Sequence, residues 1–208
     1  MKRIVVPGEL VTDQRKKAGE HVFASDGKFY SDVVGITSND SLIASVVPLK
    51  GFYVPKMDDV VIGLVVNELF SGFLVDINSF QLAFMSKERI REPLKRGSVV
   101  SGRITRVNEL NEAEVSDPRV FYGGEIFSIS PTKIPRVIGK NASMLDNLRR
   151  GTNCNFIVGR NGRIWAKGKS VDLLFKAIQK IEEEAHTSNL TNKIADFLAK
   201  ENNINLKR

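Results

Sequence analysis

The sequence predicts a multidomain chain, mostly β in its first part and α+β in its last, and three observations carry that prediction. Segments rich in Val, Ile and Phe, separated by turn dipeptides, recur without a helical period through about residue 118. The register then changes, and strand candidates alternate with segments of helical spacing. Charge is also uneven. Residues 119–170 hold ten basic and two acidic residues, whereas 1–55 hold seven and six, 56–118 eight and ten, and 171–208 six of each. A basic segment in an otherwise balanced chain of net charge +7 is the footprint of a polyanion partner.

The first block, 1–54, is a small all-β module. "RIVVPGELV" breaks at Pro7-Gly8, "HVFASDGKFYSDVVGI" turns at Asp26-Gly27, and "SLIASVVPL" carries Pro48 near its end. Asp-Gly between alternating segments is a strong hairpin signal.

The second block, 55–118, is again β. "DDVVIGLVVNEL", "GFLVDI", "LAFM" and "GSVVSGRITRVN" are strand candidates, and "SKERIREPLKRG" is a short helical candidate interrupted by Pro93. About five strands with one helical connection is the pattern of an OB-fold barrel. Such barrels hold single strands by stacking bases on exposed aromatics beside a basic groove. Phe70 and Phe73 are the stacking candidates, and Lys87, Arg89, Arg91, Lys95 and Arg96 the groove candidates. The alternatives are a core role for either Phe and a solvated face for the charges.

The third block, 119–208, reads β-α-α-β-β-α with a helical tail. "GEIFSIS" is a strand, "TKIPRVIG" a short helix, and "SMLDNLRRG" a helix with a capping box at Ser143/Asp146 and a stop at Gly151. "NFIVG" and "RIWAKG" are strands. "SVDLLFKAIQKIEEEA" spaces its apolar residues at i, i+3, i+4 and i+7.

Two look-alike stretches fall in this block. Gly139-Lys140-Asn141-Ala142 lies between two helices, where loop amides and a helix N-terminus can face a phosphate. Gly159-Arg160-Asn161-Gly162 lies between two strands, where Asn161-Gly162 predicts a two-residue type I′ turn with Gly159 as its flank. The first is therefore the nucleic-acid candidate and the second a structural turn. Ala142 stands where a glycine would let a backbone approach, so the loop is either a clamp or part of a rigid spacer. Lys133, Arg136, Lys140, Arg149 and Arg150 around it supply charge for phosphates.

The second block resembles the S1 RNA-binding domain through "DDVVIGLVVNELFSGFLVDINSFQLAFM", with Phe84 where many S1 domains have histidine. The third resembles a KH domain. The order of the blocks, with "VVIGLV…GFLVDIN" in the barrel and "GRNGRIW" as the most specific pieces, resembles the RNA-binding cap subunits of the exosome, and "EEEAHTSNLTNKIADFL" looks like the tail of the archaeal version. "GEHVF" and "MDDVVIG" depart from the family pattern. The resemblance implies a non-catalytic protein. Three copies would sit on a hexameric ring of RNase PH-like subunits and direct RNA into its pore for degradation from the 3′ end. Residues 1–54 would dock on the ring, and a second kind of cap protein is a further partner the family admits.

No cofactor is expected. His21 and His186 fall in different blocks, and Asp58-Asp59 and Glu182-Glu183-Glu184 read as solvated acids rather than metal ligands. One cysteine, Cys154, allows no internal disulfide and no zinc cluster. The longest apolar run, "VVIGLVV", is too short to span a bilayer, and the start "MKRIVVPGE" has no signal-peptide core. A cytoplasmic protein is expected. The rival readings are a free-standing S1/KH RNA-binding factor of translation or transcription and an enzyme with an unfamiliar site.

Overall fold

The structure, a computed structural model, describes residues 3–38, 40–90, 93–187 and 189–205. The chain divides into two compact units, Met1–Gly51 and Phe52–Arg208.

In the first unit the described residues form eight short strands in three small sheets. β1 (Ile4–Val5), β6 (Gly35–Thr37) and β8 (Val46–Pro48) make one. β2 (Leu10–Thr12), β5 (Lys28–Ser31) and β4 (Val22–Ser25) make the second, and β3 (Lys17–Ala18) pairs with β7 (Ile43–Ala44). The β4–β5 hairpin turns at Asp26-Gly27, both at positive φ (49° and 72°), as the dipeptide predicts. Val5, Thr37 and Val46 form the buried face of the first sheet.

The second unit begins with a closed five-stranded barrel in the order β10-β11-β13-β12-β9. Its strands are β9 (Val60–Glu68), β10 (Gly72–Asp76), β11 (Ala83–Ser86), β12 (Val99–Val107) and β13 (Ala113–Phe121). The fifth strand was not placed from the sequence; it runs through the expected boundary at 118. Among the described residues, the segment expected as a short helix forms a single 3-10 turn, Lys87–Arg89, and Pro93 lacks the N–H a longer helix would need. Alternation along β9 and β10 sends Val61, Val65, Phe73 and Val75 inward, where they pack with Met85, Val100 and Ile104.

The remaining chain is β14 (Glu125–Ser128), a 3-10 turn (Pro131–Lys133), α1 (Ile134–Ile138), a second 3-10 turn (Lys140–Ala142), α2 (Ser143–Thr152), β15 (Asn155–Val158), β16 (Arg163–Lys167), α3 (Val171–Glu183) and α4 (Leu190–Asn205). The β-α-α-β-β-α succession is the one the sequence predicted, and its strands form a sheet in the order β14-β16-β15. Period 2 makes this sheet two-sided. Phe127, Phe156, Ile164 and Ala166 pack under the helices. Ile126, Ile157 and Trp165, paired across the strands, face the opposite way and pack on Ile62, Val99 and Phe121 of the barrel's outer wall. The Trp165 and Phe121 rings stack at 4.4 Å between centroids. Helices, sheet and barrel are thus three successive layers.

Two helix ends differ from expectation. Ser143 is the first helical residue of α2 and makes no capping bond; Ala142 holds the cap position. Gly151 lies inside α2, which ends on left-handed Asn153 (φ 50°, ψ 34°). The reason for glycine at 151 is packing: a Cβ there would meet Leu198 of α4 at 2.6 Å.

Candidate nucleic-acid interface

The two look-alike loops take opposite roles in the second unit. The 159–162 hairpin is buried against the barrel, and Asn161 has no solvent exposure. β9 and β10 stay paired as far as Leu64 and Asp76 and then diverge. The Asn161 side-chain amide fills the opening. Its Oδ1 accepts from the Ile62 N–H at 3.2 Å, and its Nδ2 donates to the carbonyls of Ile62 at 2.7 Å and Ile77 at 2.8 Å. A backbone group left unpaired there would be costly, so one side chain completes the ladder of two strands. The Asn78 amide donates to the Asn161 carbonyl at 2.9 Å, and the Arg160 N–H to the Val60 carbonyl at 2.8 Å.

The backbone of this turn is not the type I′ expected. The Gly162 N–H bonds the Gly159 carbonyl at 3.2 Å and Gly162 has φ +84°, while Asn161 is not at positive φ. A turn over 159–162 ending on one left-handed glycine keeps the Asn161 side chain aimed at the barrel. Gly159 matters by size, since a Cβ there would fall 2.3 Å from Asn161 Oδ1.

Charge in this segment is partly structural as well. Arg163 is buried; its guanidinium meets the Asp76 carboxylate at 2.6 Å and also the Asp76 carbonyl. Burial pushes the Asp76 carboxyl upward, but the hydrogen bond from Arg163, the Asn78 N–H and the Arg163 charge outweigh it and hold the group below its ordinary range. Arg160 lies 4.0 Å from Asp59, whose carboxylate accepts the Tyr53 hydroxyl at 2.7 Å. Burial, with the Asp59 carboxylate beside it, holds Tyr53 protonated far above the usual phenol range.

The 139–142 loop is open to solvent. Gly139 (φ 75°) lets the chain turn so closely that a Cβ would meet the Met144 amide nitrogen at 2.7 Å. Asn141 and Ala142 follow in left-handed conformations, φ 50° and 62°. Arg136, Lys140, Arg149 and Arg150 are exposed around the loop, with Lys133 half-buried. Arg149 is 3.5 Å from Asp146 and lies over the Phe156 ring. A cleft of about 500 Å³ runs from Arg136, Gly139, Lys140 and Ser143 to the start of α4 at Asn189–Asn192.

The two barrel phenylalanines separate. Phe70, at the tip of the β9–β10 hairpin, is fully exposed, at 102% of its reference area. Phe73 corrects the expectation of a stacking role: it shares the inward parity of Val75, is 4% exposed, and packs in the barrel core. The Lys87 ammonium sits 5.4 Å over its ring and pairs with Glu68 at 2.8 Å. Lys95 and Arg96 are exposed. Arg89 ends the 3-10 turn, and Arg91 lies outside the described residues. Phe70 is about 25 Å along β9 from Ile62 at strand rise, whereas Lys95 and Arg96 directly precede Gly97, whose N–H bonds the Val65 carbonyl at 2.7 Å. The signal that separates the two phenylalanines was in the sequence, as the Phe73-x-Val75-x-Ile77 alternation.

Asp58, Asp59, Glu182, Glu184 and His21 have structural partners, while Glu183 and His186 are exposed. Asp58 pairs with Arg103 at 3.5 Å and His21 with Asp32 at 3.3 Å. Glu182 accepts the Ser130 N–H at 2.8 Å, and Glu184 is paired with Lys180 and Lys193. Among the described residues no three His, Cys, Asp or Glu side chains converge to hold a metal, and no helix is long and apolar enough to cross a membrane.

Comparison with known proteins joins these parts. Residues 2–50 match the model of the exosome RNA binding protein RRP4 N-terminal domain, and residues 124–172 match that of the KH domain. The exosome complex component Rrp4 of Methanosarcina mazei is 38% identical, covering 96% of this chain and 83% of its own length. That of Methanothermus fervidus is 36% identical over 94% of each chain. A crystal structure assigned to an exosome complex RNA-binding protein superposes with a TM-score of 0.67 at 32% identity, covering 74% of this chain and 99% of that one. With this agreement along nearly its whole length, the chain belongs to the archaeal Rrp4 family of exosome complex components.

Proposed function

We propose that this protein is an RNA-binding cap of the exosome that supplies capture and guidance but no catalytic group. Three copies sit on a hexameric ring of RNase PH-like subunits in the cytoplasm, docked through residues 1–54, and pass single-stranded RNA into the central pore for 3′-to-5′ degradation. The observation that carries this reading is the exposed basic loop. Arg136, Lys140 and Arg150 surround Gly139–Ala142 with no ion-pair partner among the described residues, while the other glycine loop is consumed by the barrel. In this reading the open loop and the first turn of α2 take a phosphate, and Phe70 with Lys95 and Arg96 takes RNA at the barrel.

A barrel and a KH domain fixed as one body hold two RNA contacts at a set distance. The second contact is then intramolecular and gains from effective concentration. The effect on degradation is tighter capture of RNA long enough to reach both. The test is reconstitution of the ring with and without this chain, scored at limiting substrate on long RNA and on a short oligomer. Faster decay of the long RNA alone is expected. Equal rates on long RNA would overturn the cap role and favour a free-standing RNA-binding factor.

A further inference from the structure

Asn161-Gly162 is the one Asn-Gly pair in the sequence. Asn-Gly is also the dipeptide most open to deamidation, because no side chain on the following residue hinders attack by its backbone nitrogen. We propose that Asn161-Gly162 is a latent deamidation site, held inert by its bonds to the barrel and released when the hairpin separates from Ile62 and Ile77.

In the chemistry, the Gly162 amide nitrogen attacks the Asn161 side-chain carbonyl carbon and loses its proton. The side-chain nitrogen takes up one proton in its place and leaves as ammonia as the carbon–nitrogen bond breaks, closing a five-membered succinimide. Water then opens the ring to aspartate or isoaspartate. No oxidant, metal or further reagent is consumed.

The native geometry blocks each requirement. The Gly162 N–H is directed at the Gly159 carbonyl at 3.2 Å, away from the side chain it must attack. The Asn161 amide is held on the barrel by three hydrogen bonds of 2.7–3.2 Å and cannot swing back. The residue has no solvent exposure, so water is absent for ring opening. The second and third blocks depend on one contact and vanish together when it opens, and the first, a bond within the turn, is then no longer braced by the barrel.

The product then cannot restore that contact. A carboxylate at 161 faces the carbonyl oxygens of Ile62 and Ile77, to which the native group donates, and isoaspartate adds a backbone atom to a closed turn. Opening of the barrel–hairpin contact is thereby recorded irreversibly. Asn161 is a chemical record of how often the two domains have parted.

The experiment incubates the full chain in mildly alkaline buffer and follows the peptide containing 161 by mass, for the amide-to-acid gain, and by isoaspartate content. The same chain unfolded in urea gives the unrestrained rate. Asp76→Ala removes the carboxylate that anchors Arg163; Asn78→Ala removes one bond to the turn and is the milder variant should the first fail to fold. Native protein is expected to convert at 161 at least about ten-fold more slowly than unfolded chain, because only the open fraction reacts. The folded variant should convert several-fold faster than the parent at 161, with the other asparagines unchanged. Conversion of the native parent at the unfolded rate, or a folded variant no faster than the parent at 161, would overturn the proposal.

Discussion

Asn161 and Ile62, 99 residues apart in the chain, exchange two hydrogen bonds in which a side-chain amide substitutes for a missing strand. With the third bond, to Ile77, one side chain ties the glycine-rich hairpin of the KH domain to both diverging strands of the barrel.

Removing that amide should therefore act on the fold. Asn161→Ala orphans one buried N–H and two carbonyls, and a destabilisation of about 2–4 kcal/mol follows from unsatisfied buried groups. For a unit of this size that lowers the melting temperature by roughly 4–16 °C. RNA affinity measured well below the melt should stay at the parental value. Calorimetry and fluorescence anisotropy on the same sample check both halves; an unshifted melt refutes the first.

Gly162→Val tests the other half of the turn. Valine at φ +84° is strained, and its Cβ would lie 2.4 Å from the Ile129 carbonyl. The melt should drop by several degrees with no specific loss of RNA binding. A parental melt with lost affinity would show that the two glycine loops had been assigned the wrong way round.

The Asp76–Arg163 pair sets a pH dependence. A carboxyl held below its ordinary value of 3.8 contributes stability that is present above that value. The contribution is lost as pH falls from about 4 through the folded value. Asp76→Asn should thus melt below the parent at pH 7, and the gap should narrow on acidification below about pH 4. A gap that stays constant with pH would show that the charge of Asp76 does not matter.

The barrel phenylalanines should respond differently to truncation. Phe73→Ala opens a cavity in the core and should cost about 3–5 kcal/mol of stability. Phe70→Ala removes only a solvent-exposed ring, so the melt should not move. Its loss should weaken RNA binding by about 1–3 kcal/mol if one base stacks there. Urea titration and anisotropy separate the outcomes, and unchanged RNA affinity in Phe70→Ala would remove it from the interface.

How much of this was readable in advance depends on the range over which each feature is determined. The Asp26-Gly27 hairpin, the two-helix setting of 139–142 and the apolar stripe of α3 are set by neighbours in sequence, and each was legible. The fifth barrel strand was not, because "AEVSDPRVF" mixes acids and Pro118 with weak alternation, and its pairing with β12 creates the strand. Asn161 was read as a turn residue from its glycine neighbour. Its three bonds come from positions more than 80 residues away, which no local pattern encodes. The basic count of 119–170 was right while its use was mixed. Arg163 is consumed by the domain contact and Arg160 lies beside Asp59, while Arg136, Lys140, Arg149 and Arg150 around the loop stay exposed, as do Arg119, Lys167 and Lys169 elsewhere.

Salt dependence measures that exposed set. Each phosphate neutralised on a single strand contributes about 0.7 to the slope of log affinity against log salt. Arg136→Ala with Lys140→Ala should reduce the slope by about 1.4 and weaken binding uniformly across RNA sequences. An unchanged slope would place RNA elsewhere.

Ala142 offers the most direct separation of clamp from spacer. Its φ of 62° and ψ of 14° put an alanine in the left-handed region, beside Asn141, which tolerates that region better. An L-residue there costs roughly 1–2 kcal/mol, and glycine recovers this less its own entropy of about 0.5–1 kcal/mol. Ala142→Gly should thus stabilise the unit by about 0.5 kcal/mol, a rise of roughly 1–2 °C in the melt. The substitution also completes a Gly-x-x-Gly loop and strips the methyl from the surface that a phosphate must approach. With Arg136, Lys140 and the first turn of α2 already in place, single-stranded RNA should bind several-fold more tightly at low salt. The gain should disappear in the Lys140→Ala background, because loop and charge act on the same phosphate. A variant that melts higher but binds RNA no better than the parent would refute the clamp and leave this loop as part of a rigid spacer.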